Sequence, residues 1–79
     1  MDDMQKLLDI LSEINDSIDY TEEKALVDDG LIDSFDVTSL VASLDEAFDM
    51  HIPARAVIPE NFNSAEAMLA MVKQYRTSK

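Results

Sequence analysis

From Met4 to Ile18 apolar residues recur at steps of three and four. Met4, Leu7, Leu8, Leu11, Ile14 and Ile18 form a stripe, with Ile10 on its flank. That period belongs to an amphipathic helix and predicts one from about Asp2 to Ile18. Asp2 and Asp3 fall in its first turn, where the helix dipole favours negative charge. The period is lost between Asp19 and Asp33, a stretch that holds the only glycine of the chain. Asp29-Gly30 is a turn signal, because glycine accepts a positive φ without a steric cost. The apolar pairs Leu26-Val27 and Leu31-Ile32 flank that turn and predict a long loop pinned to a core. Loops of this length inside a compact domain usually carry function.

The cleanest stripe follows. Val37, Leu40, Val41, Leu44 and Phe48, with Ala47 beside them, predict a helix from Ser34 to about Asp49. Ser34 stands where an N-cap is expected, and Asp36 adds charge to the same first turn. Pro53 and Pro59 then mark breaks, and Pro59 suits the first position of a short helical turn. Asn63 or Ser64 can cap a last helix, with Glu66 placed three residues after Asn63 as in a capping box. Ala65, Met68, Leu69, Val72 and Tyr75 line one face of it. Lys73, Arg76 and Lys79 crowd its C-terminal end, where cations complement the dipole. No segment alternates at period two long enough to make a strand. The expected fold class is all-α: one domain over residues 1–79, a small bundle of three main helices plus a short third one.

Composition sharpens this picture. Apolar residues make up 47% of the 79-residue chain, enough to build a core, although so small a domain buries only about 60% of its unfolded surface. The net charge is −11, unevenly spread: residues 1–50 carry −13 and residues 51–79 carry +2. A domain this acidic repels nucleic acid and anionic membranes, and its field attracts a basic partner to the first half of the chain. No apolar run reaches the roughly 20 residues of a membrane span, and Asp2-Asp3 is no start for a secretory signal. The expectation is a cytoplasmic monomer.

The chain holds no cysteine and one histidine, which excludes disulfides, thiolate metal sites and a cysteine nucleophile, and leaves few options for a transition metal. Ser34 lacks a base: His51 lies beyond the far end of the same helix, more than about 20 Å away at 1.5 Å per residue. His51 is expected on a loop at the surface. Placing Gly30 at the invariant sixth position of a calcium loop puts Ala25 and Val27 at ligand positions, so that pattern fails. The acids Asp28, Asp29, Asp33 and Asp36 then read as a solvated charge run. Ser34 itself reads either as a cap alone or as a modification site; a helix N-terminus suits both, since it also favours an attached phosphate.

Taken together, Asp28-Asp29-Gly30-Leu31-Ile32-Asp33-Ser34-Phe35-Asp36, then Leu40-Val41, Leu44, Asp45-Glu46, Phe48-Asp49 and Ile52-Pro53, resemble the acyl carrier protein family. The likeness continues through Pro59-Glu60-Asn61-Phe62-Asn63-Ser64 into the last helix. It implies a four-helix bundle that is not an enzyme. It further implies a covalent 4′-phosphopantetheine arm on Ser34, beside Asp33, installed from coenzyme A by a phosphopantetheinyl transferase. Acyl or aminoacyl groups would ride on the arm as thioesters between enzymes of a fatty-acid, polyketide, nonribosomal-peptide or D-alanylation-type pathway. The second helix would meet basic docking surfaces of those enzymes through Asp33, Asp36, Asp45, Glu46 and Asp49.

The sequence departs from the family pattern at Phe35, where leucine is usual, at Ser39 and Ser43, which thin the charge of the helix, and at His51, where an acid is common. These departures and the Pro59–Phe62 region look more like stand-alone aminoacyl or secondary-metabolite carriers, the D-alanyl carriers among them. Val37, Leu40, Val41, Leu44, Phe48, Phe62, Met68, Leu69 and Val72 are read as core, although in some carriers such residues shelter an acyl chain. The rival reading is an unmodified acidic adaptor that binds a basic partner protein; an adaptor has no need of the Asp33-Ser34 pair.

Overall fold

A computed structural model describes residues 2–76. Its helices run α1 (Asp3–Ile14), α2 (Ser34–Phe48), α3 (Pro59–Phe62) and α4 (Ala65–Arg76), with a 3₁₀ turn at Ala54–Ala56 ahead of α3. No strand occurs among the described residues. The all-α expectation holds, with three main helices and a short third one.

The helix ends depart from expectation in three places, each for a local reason. First, α1 stops at Ile14, four residues before the end of its apolar stripe. Asn15 is extended, and its side-chain oxygen accepts from the Ser17 amide at 3.0 Å and the Ser17 hydroxyl at 2.7 Å. That local turn competes with another helical turn. Ile18 still packs on the core, but from the loop.

Second, the cap of α2 is Asp33, not Ser34. Asp33 Oδ1 accepts from the Asp36 amide at 2.9 Å, and Asp36 Oδ2 accepts from the Asp33 amide at 3.3 Å, a reciprocal capping box. Asp49 closes the other end in the left-handed region, φ 51°, so α2 finishes one residue earlier than expected.

Third, Glu66 makes no capping box with Asn63. Ser64 Oγ accepts from the Ala67 amide at 3.0 Å, while Glu66 pairs with Lys24 across the fold. Lys79, expected in the basic C-terminal cluster, lies outside the described residues.

The core is apolar throughout, with no buried polar or charged residue among those described. Leu7 and Leu11 of α1, Leu40 and Leu44 of α2, Phe62 of α3 and Met68 and Val72 of α4 are fully buried. Val41 and Leu69 only pack against its edge. Each full burial of a side chain of this size contributes about 1.5–3 kcal/mol. The long loop does what its apolar pairs imply: Leu26 and Ile32 are buried, and Gly30 turns between them at φ 75°. Tyr20, also buried, donates its hydroxyl to the Asn15 carbonyl at 2.8 Å. Asn63 ties this loop to the α3–α4 junction. Its side-chain oxygen accepts from the Val27 and Asp28 amides, its Nδ2 donates to Asp28 Oδ2, and its carbonyl accepts from Leu26. Arg76 closes α4 onto α1 by donating to Asp3 Oδ2 at 2.7 Å, and Lys6 and Arg76 both lie over the Phe48 ring.

Candidate functional site

Ser34 is the first residue of α2, exposed, where the long loop enters the helix. Because Asp33 and Asp36 cap each other, the Ser34 hydroxyl is left outside the capping network. Its carbonyl accepts from Thr38 Oγ1 at 2.9 Å. The first amides of an α-helix have no intrahelical partner, so Ser34 sits at an end that suits an anion bonded to its own oxygen. The two neighbouring carboxylates oppose that charge; exposure lets solvent and salt screen the repulsion. The position therefore fits a phosphodiester on Ser34 Oγ. The histidine is not at this end: His51 follows the far end of α2, with its side chain 87% exposed and 3.9 Å from Asp45 Oδ2.

A cavity of about 180 Å³ opens beside Ser34, walled by Val27, Val37, Val57, Ile58, Pro59 and Phe62. The exposed large apolar residues among those described are Leu31, Phe35, Val57 and Ile58. Two of them line this cavity and two lie within three positions of Ser34 in the chain. Phe35, 77% exposed, is the most open of the four. Val57 and Ile58 thus give the cavity beside Ser34 an exposed apolar wall.

The acids divide into separate groups. At about 100° per residue, the nine steps from Asp36 to Asp45 put them on opposite flanks of α2. Both are half-buried, whereas Phe35, Thr38, Ala42 and Glu46 form the exposed ridge between them. Asp33 and Asp36 are joined by the capping box. Asp45 holds the segment after the helix, its Oδ1 accepting from the Ile52 amide at 2.9 Å. Asp49 is the C-cap, and Glu46 faces a groove shared with α1. Burial first, then the Asp36 and Asp16 carboxylates, push the Tyr20 hydroxyl above its usual pKa. Among the described residues, no cluster of three or more His, Cys, Asp or Glu could hold a metal ion. No helix among them is long and apolar enough to cross a membrane.

Two comparisons bear on this arrangement. The chain is 41% identical over 54 residues to aminoacyl carrier protein 1 of Bradyrhizobium diazoefficiens, covering 68% of this chain and 59% of that protein. It is 26% identical over 72 residues to the D-alanyl carrier protein of Lactococcus lactis subsp. cremoris, covering 89% of this chain and 91% of that one. The chain belongs to the acyl carrier protein family. No family model matches it, and no solved structure does.

Within this carrier-family chain, sequence reasoning missed Val57 and Ile58. The prolines around them signalled breaks and drew attention from the residues between. The available signal was an apolar pair just before Pro59, outside every helical stripe.

Proposed function

We propose that Ser34 carries a 4′-phosphopantetheine arm and that the chain is a carrier, not an enzyme, for acyl or aminoacyl groups. The observation that carries this is the state of Ser34: exposed, released from capping by Asp33, at a helix N-terminus, beside the chain's exposed apolar residues. When bound, the arm supplies the thiol that this cysteine-free chain lacks, and with it a thioester link to the cargo. Ser34 Oγ provides the point of attachment. Asp33 and Asp36 keep the first turn of α2 in shape, so that the hydroxyl is presented at a fixed helix end. Leu31, Phe35, Val57 and Ile58 offer apolar contact to the phosphopantetheinyl transferase and to the enzymes that load and unload the arm.

The names of the two relatives favour an aminoacyl cargo over a fatty one. The partners are activating and transferring enzymes with basic surfaces, drawn by the charge of −11. Steering of this kind speeds association without requiring a tight complex, which suits a carrier that must leave each enzyme. In this reading Glu46 and Asp49 meet partners directly. Asp33, Asp36 and Asp45 add to the field while their bonds hold the ends of the helix. The test is arm attachment in Ser34→Ala: loss of all labelling by a transferase with coenzyme A is expected, and retained labelling would move the site elsewhere.

A further inference from the structure

The functional reading makes no use of the concave surface between α1 and α2. A groove of about 240 Å³ runs between α1 and the second half of α2, lined by Ile10, Glu13, Ile14, Ser43, Glu46 and Ala47. It lies about 14–20 Å along α2 from Ser34, at 1.5 Å per residue. Ile10, Ile14, Ser43 and Ala47 are half-buried, whereas Glu13 and Glu46 are exposed. Three of the four half-buried residues are apolar, and the fourth brings a hydroxyl. Neither glutamate makes an ion pair among the described residues, although Asp3 and Glu66 do. The nearest cation along α1, Lys6, lies over the Phe48 ring and is seven residues, about 10 Å, from Glu13.

We infer that this groove takes the side chain of an arginine from a partner protein. An arginine has the matching shape: an aliphatic stem that packs on apolar surface and a planar head with five donors. Ile10, Ile14 and Ala47 take the stem; Glu13, Glu46 and Ser43 accept from the head. A lysine would offer one point charge and no planar fork, and would gain less from two carboxylates. The inference rests on the reading that the chain docks on basic proteins, and it adds α1 to the docking face through Glu13, an acid outside the set expected from the second helix.

The test is an amide NMR titration of the full chain with N-acetyl-arginine methylamide, and with the citrulline analogue, which keeps the shape and loses the charge. Saturable shifts centred on Ile10, Glu13, Ser43 and Ala47 are expected with arginine, at least ten-fold weaker with citrulline. The double variant E13Q/E46Q should weaken arginine binding at least ten-fold. Both glutamates are exposed, so its fold is expected to persist, as its spectrum will show. Ser43→Leu, which fills the groove and keeps both charges, should weaken binding as well. Shifts spread evenly over the acids of the loop and of α2 and surviving in E13Q/E46Q would overturn the inference. So would equal binding of citrulline, or groove shifts that depend on protein concentration alone, which would make the occupant a second copy of this chain. The titration does not use Ser34. A chain that takes no arm yet binds arginine in the groove would sink the carrier reading alone; one that takes the arm and shows no groove shifts would sink this inference alone.

Discussion

Removing the Asp33 carboxylate should cost stability that removing the Ser34 hydroxyl does not. Asp33 Oδ1 satisfies the Asp36 amide at 2.9 Å, while the Ser34 hydroxyl lies outside the cap. Loss of an N-cap oxygen costs about 0.5–2 kcal/mol, typically near 1. Exposed substitutions away from such features stay within about 0.5 kcal/mol. Asp33→Ala is thus expected to lower stability by about 1 kcal/mol, a fall in Tm of roughly 4–8 °C for a domain of this size. Ser34→Ala should leave Tm within a few degrees of the parent. Asp33→Asn removes the charge but keeps a capping oxygen, and asparagine caps about as well as aspartate, so it should track the parent. Urea titration at constant m separates these cases. If Ser34→Ala falls as far as Asp33→Ala, the serine is the cap and its hydroxyl is not free for attachment. If Asp33→Asn falls as far as Asp33→Ala, charge and not capping governs this helix end.

Other consequences can be checked in parallel. Asn63→Ala removes three side-chain hydrogen bonds to the loop, at about 0.5–1.5 kcal/mol each; faster hydrogen exchange at Val27 and Asp28 should accompany the loss, and unchanged exchange there would show that the loop is held by its apolar residues alone. The Arg76 hydrogen bond, reinforced by its charge, holds the Asp3 carboxyl below its ordinary value of 3.8. A lowered folded pKa means stability present above the unfolded value and lost as pH falls through the folded one. Arg76→Gln should therefore lower stability at neutral pH and flatten the decline below about pH 4, and identical acid limbs would contradict the pair's contribution. Glu46→Lys should slow association with a basic partner mainly at low salt, because charge steering is screened within about 10 Å at 0.1 M; an unchanged rate at every ionic strength would remove Glu46 from the docking face.

The helical stripes of α2 and α4 were legible because their apolar faces repeat at 3.6 residues and are buried in one core. The stripe of α1 misled at its end: Ile18 keeps the period and packs on the core, yet the Asn15 turn has already broken the helix. The motif around Ser34 singled it out as the proposed point of attachment, but its local place just inside the cap was not legible. Serine and aspartate both cap helices well, and the choice between Asp33 and Ser34 depends on the bond from Asp36 back to the Asp33 amide. The exposed Val57-Ile58 wall and the groove of Glu13 and Glu46 join residues distant in sequence. No periodicity within one segment reports such a pairing. The acids of α2 looked like one recognition face because their charge was read without their helical phase; the nine-residue spacing of Asp36 and Asp45 already puts them on opposite flanks.

The most direct measurement is intact mass after incubation with coenzyme A, Mg²⁺ and a broad-specificity phosphopantetheinyl transferase, followed by fragmentation to locate the change. A gain of one phosphopantetheine, mapped to Ser34 and absent in Ser34→Ala, is the expected result. No gain with several transferases, or a gain at another residue, would contradict the assignment of Ser34; with no gain at all, the acidic adaptor that binds a basic protein would stand in its place.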